Sequence, residues 1–165
     1  MAQTEGPCSW KCSEAALSCS WFSTRLVLNQ EQDSAASEHF QLHGPSVCAM
    51  ALRVDDAERA VSRAKALLYP DWQEQIGEGE RYIPAVRTSD GTLVYLVQSD
   101  PSGRSIWEND FELRDRGPDQ GDAGLDAVDH IAQALPFGRM DTYVLFWRAL
   151  FGLQLEQQWM SPEPA

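Results

Sequence analysis

The sequence predicts an α+β fold, with one strand-helix-strand-strand-strand (βαβββ) unit over residues 47–97 and the opening of a second over 128–159. Three observations carry this reading. Apolar runs of strand length flank a stretch with helical periodicity. An Asp-Gly turn joins the last two runs. The strand-helix-strand order of 47–76 then recurs at 128–159.

Residues 1–20 carry no periodic pattern. WFSTRLVLN (21–29) has the aromatic and β-branched character of a strand, and QEQDSAASEH (30–39) reads as a loop or short helix. HGPSVCAMALRVDD (43–56) opens on a Gly-Pro break, runs through apolar residues and ends on two aspartates, as a buried strand leading into a helix does. Asp55 as N-cap and Glu58 three positions later make a capping-box pattern. Ala57, Ala60, Val61, Ala64 and Leu68 form the apolar stripe, with Arg59, Arg63 and Lys65 turned to water. Tyr69-Pro70 ends the helix, and DWQEQI (71–76) makes a short strand before the Gly77 and Gly79 break. RYIPAVR (81–87), the turn TSDGT and LVYLV (93–97) then read as a hairpin.

Residues 99–126 are rich in Asp, Glu, Gly and Pro, the signature of a solvated acidic linker. Val128 to Leu135 is the next strand candidate. Met140, Tyr143, Val144, Trp147 and Phe151 recur at helical spacing, with Gly152 placed to cap the end, and Leu153 to Trp159 reads as one further strand. The expected organisation is therefore an unpatterned 1–20, a module over 21–98, a linker over 99–126 and a truncated second module over 127–165.

A chain of 165 residues, 43% hydrophobic, suffices for one globular domain with a buried core. Its formal charge of −12 repels phosphate backbones and anionic bilayers, so neither nucleic acid nor membrane is expected as a partner. No apolar run is long enough to span a bilayer, and Glu5, Lys11 and Glu14 interrupt any signal-peptide core. The expected location is the cytoplasm, with reduced cysteines. Cys8, Cys12, Cys19 and Cys48 do not match the paired C-x2-C spacing of structural zinc sites.

Two histidine patterns bear on metal binding. Glu38, His39 and His43 form E-H-x3-H, which could set two imidazoles on one helical face, but it lacks the glutamate placement of H-E-x-x-H and Gly44-Pro45 ends the helix at once. His130 stands alone on an apolar run, where a histidine is a structural residue more often than a ligand. The aromatic stripe Tyr143, Trp147, Phe151 reads as core. Glu108 and Asp110 lie on a Gly-rich stretch without the burial that acid-base work needs.

HGPSVCAMALRVDDAERAVSRA, IPAVRTSDGTLVYLVQ and VDHIAQALPFGRMDTYVLFWRALFGL, in that order, closely resemble segments of 4-hydroxyphenylpyruvate dioxygenases. These belong to the vicinal oxygen chelate superfamily of repeated βαβββ modules. The resemblance covers about residues 22–153 and includes the helix opening Gly138-Arg139-Met140 and the ending Phe151-Gly152. It is closer still to the dioxygenase-like C-terminal part of bacterial 3-dehydroshikimate dehydratase fusions. Gln133-Ala134-Leu135, where the stand-alone dioxygenases tend to carry an Asn-Val pair, lean the same way.

The resemblance implies Fe(II) held by two histidines and a carboxylate, an aromatic α-keto acid substrate, and homogentisate as product. It places the first ligand at His130, beside Asp129, and the other two in a module beyond this one. The corresponding positions of the first module are Ala49 and Tyr95, which cannot complete a triad. The resemblance therefore implies a fragment that is inactive alone, with His130 as its metal residue and no catalytic residue of its own. Self-association, or pairing with a missing C-terminal half, would cover the open sheet. The alternatives are the dioxygenase-like tail of a dehydratase fusion and a metal-free structural or interaction module.

Overall fold

The computed structural model describes residues 26–32, 34–73, 81–99, 101–103, 105–111 and 128–156. The elements in chain order are α1 (Ala35–His43), β1 (Ala49–Val54), α2 (Ala57–Ala66), β2 (Asp71–Trp72), β3 (Ala85–Arg87), β4 (Leu93–Gln98), α3 (Ile106–Asn109) and α4 (Met140–Phe151). From β1 to β4 this is the expected βαβββ order. The stretch 1–20, the Gly77 and Gly79 break, most of the acidic stretch and residues 157–159 lie outside the described residues.

The four strands form one sheet in the order β1-β4-β3-β2. The TSDGT turn joins β3 and β4 as an antiparallel hairpin, while β1 runs parallel to β4 with Ala49 opposite Leu93 and Ala51 opposite Tyr95. Side chains alternate across the sheet, so this register sorts them into two faces. Val86 and Val94 on one face pack with Ala64 of α2 and with Phe146 and Leu150 of α4, and Met50, Leu52, Tyr69, Trp147 and Phe151 close around them. On the other face Ala85, Leu93 and Tyr95 pack with Ala35 of α1, Ala49, Trp72 and Ile83. Helix α4, expected to begin a second module, thus shares its core with the first.

Helix α2 begins one residue later than the sequence pattern suggests. Its N-cap is Asp56, not Asp55, and the Asp56 carboxylate accepts from the Arg59 N–H at 2.8 Å. The Ala57 N–H donates to Gln98 Oε1 of β4 at 2.9 Å, which ties the helix start to the sheet. Arg63 does not face water only: its Nε donates to the Ala149 carbonyl of α4 at 2.7 Å. Lys65 pairs with Asp71 at 2.9 Å, and that hydrogen bond holds the Asp71 carboxyl below its ordinary value.

Leu68 leaves the predicted apolar stripe. The Tyr69 N–H bonds back to the Ala64 carbonyl at 2.9 Å and the Leu68 N–H to the Lys65 carbonyl at 3.0 Å, a Schellman ending that puts Leu68 at φ 62°. That left-handed position suits glycine, and the Leu68 side chain is 91% exposed. Leu68→Gly is expected to raise stability by about 0.5–1 kcal/mol, because relief of left-handed strain exceeds the added entropy of the unfolded chain. A urea titration checks this, and a lower midpoint in the variant contradicts it.

Residues 26–29 and 128–135 form no strand. A strand needs a partner edge, and the sheet offers these residues no pairing among the described ones; Val128 and Ile131 stay 50% and 53% exposed. Residues 105–111, expected in a solvated linker, instead fold back on the module. The Glu108 carboxylate accepts from the Ser105 N–H at 2.9 Å, Ile106 is buried, and Asp110 accepts from the Arg81 N–H at 3.2 Å. Helix α4 ends as expected on Gly152 at φ 70°, whose N–H reaches the Arg148 carbonyl at 3.0 Å. No helix among the described residues is long and apolar enough to cross a membrane.

Candidate functional site

His130 lies on the extended segment that leads into α4. Its Nδ1 meets the Asp129 carboxylate at 2.7 Å, with both side chains largely exposed. In the tautomer that donates from Nδ1 to this carboxylate, Nε2 carries the free lone pair, the orientation in which histidines ligate metals.

The segment is fastened three residues further on. Gln133 Nε2 donates to the Asp90 carboxylate, and also meets Thr92 Oγ1 at 3.4 Å and the Tyr143 hydroxyl at 3.3 Å. Asp90 sits in the β3–β4 turn, where it accepts from the Thr88 hydroxyl, from the Thr92 N–H at 3.2 Å and from the Thr92 hydroxyl at 3.0 Å. Partial burial alone would raise the Asp90 carboxyl. The hydrogen bonds from Thr88, Tyr143 and Thr92 outweigh that and bring it down to about 2. Burial and the Asp90 carboxylate together push the Tyr143 phenol up to about 12. One polar cluster therefore joins the hairpin turn, the His130 segment and α4.

Sequence reasoning missed this cluster. TSDGT reads as a turn and Tyr143 as core, and both are true, since Tyr143 is buried and only its hydroxyl reaches the cluster. The available signal is the Thr-x-Asp-x-Thr spacing, which puts two hydroxyls around one carboxylate in a turn.

The expected non-ligands of the first module do come together. Ala49 on β1 and Tyr95 on β4 point to the same sheet face and belong to the same apolar cluster. Nearby the Arg87 guanidinium stacks 4.0 Å over the Trp72 ring and approaches Glu38 at 4.0 Å, while Trp72 Nε1 and Arg87 Nε are buried donors without an acceptor among the described residues. A methyl group, a neutral phenol, an indole and a guanidinium are the wrong donor set for Fe(II). The residues of this face therefore do not fit Fe(II). Among the described residues, no three side chains of His, Cys, Asp or Glu gather closely enough to hold a metal ion. The E-H-x3-H residues lie on α1, where the His39 and His43 ring centroids are 4.4 Å apart.

Comparison with known proteins agrees with this architecture. Residues 22–112 match the family model described as hydroxyphenylpyruvate dioxygenase, HPPD, N-terminal. The chain is 45% identical over 139 residues to a 3-dehydroshikimate dehydratase of Pseudomonas aeruginosa, covering 84% of this chain and 22% of that protein. It is 37% identical over 132 residues to a 4-hydroxyphenylpyruvate dioxygenase of Pseudomonas sp., covering 78% of this chain and 36% of that protein. A solved xylose isomerase-like TIM barrel/4-hydroxyphenylpyruvate dioxygenase fusion protein superposes with a TM-score of 0.63 at 40% identity, over 76% of this chain and 19% of that one. The chain spans well under half the length of each of these relatives. With its βαβββ unit, mixed sheet and matched N-terminal region, the chain belongs to the 4-hydroxyphenylpyruvate dioxygenase family of vicinal oxygen chelate proteins.

Proposed function

We propose that the chain supplies the metal-free half-module, over residues 21–98, and the opening of the metal-binding half, over 127–165, of an iron-dependent unit that oxidises an aromatic α-keto acid to homogentisate. The observation that carries this is the Asp129–His130 pair at 2.7 Å, on a segment fastened to the body through Gln133. In this reading His130 gives one ligand, and the partners come from a longer polypeptide of the kind its relatives have. Bound there, Fe(II) supplies coordination for the keto acid and for dioxygen. The chain's own residues hold the imidazole: Asp129 keeps the proton on Nδ1, and Gln133 keeps the segment against the hairpin turn.

The outer edge of β1 has no neighbouring strand among the described residues, which supports pairing with the rest of such a polypeptide or with a second copy. A cytoplasmic setting with reduced cysteines accompanies this reading. A second reading, the dioxygenase-like part of a 3-dehydroshikimate dehydratase fusion, is favoured by the higher identity to the dehydratase and by the fusion structure. There the dehydratase chemistry would belong to the barrel and not to these residues.

Anaerobic Fe(II) titration and oxygen uptake on 4-hydroxyphenylpyruvate test the proposal, with the chain alone and mixed with the remaining C-terminal part of the Pseudomonas sp. dioxygenase. Iron binding and uptake are expected only in the mixture and are lost with His130→Ala. A mixture that binds no iron, or a His130→Ala variant that behaves like the original chain, overturns it.

A further inference from the structure

Helix α1 carries side chains of metal-ligating type that the dioxygenase reading leaves unused. His39 and His43 are one helical turn apart, on the same side, with ring centroids 4.4 Å apart and planes inclined by 41°. We propose that His39 and His43 form a two-imidazole chelate for a borderline divalent transition metal, of the Cu(II), Ni(II) or Zn(II) group, with water at the remaining positions. The site is separate from His130 and does not depend on the role given to that residue.

Three features support it. The helix is fixed at both ends: Ser34 Oγ accepts from the Ser37 N–H at 3.2 Å, and the Gly44 N–H donates to the Phe40 carbonyl at 2.8 Å. The two rings are therefore presented from a set backbone. Second, His43 is the last residue of α1, where the negative end of the helix dipole favours a cation. Third, the Asp90 carboxylate acts on His39 from the β3–β4 turn, and the chain's charge of −12 adds to that field.

No third ligand joins them among the described residues, so the affinity is that of a bidentate chelate. It should follow the order of nitrogen sites, Cu(II) above Ni(II) and Zn(II). A metal bound across one turn also holds that turn closed, and so raises the melting temperature by linkage.

The test is calorimetric titration with Ni(II) at neutral pH, after alkylation of the cysteines so that thiols do not compete. One equivalent is expected, with affinity falling about tenfold or more in either His39→Ala or His43→Ala, because each removes the chelate. His130→Ala is expected to leave it unchanged. To separate loss of the chelate from a loosening of α1 by alanine, a double variant Gln41→His, His43→Ala keeps two imidazoles in the helix but sets them two residues apart. It should bind no better than the single variants. Smaller losses in both single variants, or a double variant that binds as tightly as the original chain, overturn the proposal.

Discussion

Phe146→Ala lowers stability by about 3–5 kcal/mol and frees helix α4 from the sheet. Phe146 is 3% exposed and packs edge-on against Tyr69 at 4.9 Å and Trp147 at 5.1 Å between ring centroids. It fills the space between Ala64, Val86 and Val94, so truncation leaves a void that backbone hydrogen bonds keep open. Urea unfolding followed by far-ultraviolet circular dichroism gives the size of the effect. The near-ultraviolet signal of the aromatic cluster should fall even before unfolding. A cost under about 1 kcal/mol, far below a normal core truncation, would mean that α4 does not dock on the first module in solution.

The second large effect belongs to Asp90. Asp90→Ala removes the acceptor that Thr88, Thr92 and Gln133 share, and is expected to cost about 1–3 kcal/mol. Amide exchange at 128–135 should quicken at the same time, because Gln133 loses its hold. The acid limb gives an independent reading. In the folded chain the carboxyl titrates at about 2. In the unfolded chain it returns to about 3.9, so below that pH the unfolded state binds the proton first. Asp90 therefore stabilises the fold in full above about pH 4, and its contribution drains away as the pH falls toward 2. Asp90→Asn should flatten that part of the stability profile. An equally steep acid limb in the variant would refute the assignment.

The module was legible in the sequence because its signals are local. Asp-Gly set the hairpin, helical spacing set α2 and α4, and Gly152 marked where α4 stops. What the sequence hid depends on contacts across space. Leu68 fits the helical stripe by spacing, yet the chain turns left-handed at that residue and exposes it. Arg63 looks like a surface charge until the Ala149 carbonyl is brought beside it. Val128 to Leu135 has strand composition but pairs with no strand among the described residues, and the Gln133 side chain holds it at the hairpin turn instead. The candidate site divides in the same way. His130 and the non-ligands Ala49 and Tyr95 follow from motif resemblance, whereas the Asp90 cluster joins residues more than forty positions apart.

The parallel register of β1 and β4 sets an order of assembly. Ala49 meets Leu93 across the sheet, so the first strand waits for its β4 partner until the hairpin far downstream has formed. The β3–β4 hairpin, with its short loop, can close early, and β1 must then be carried to it by the crossover through α2. A ribosome releasing this chain therefore exposes the β1 backbone throughout synthesis of α2, β2 and β3. Slow translation over 55–92 prolongs the interval in which that strand can find the wrong neighbour.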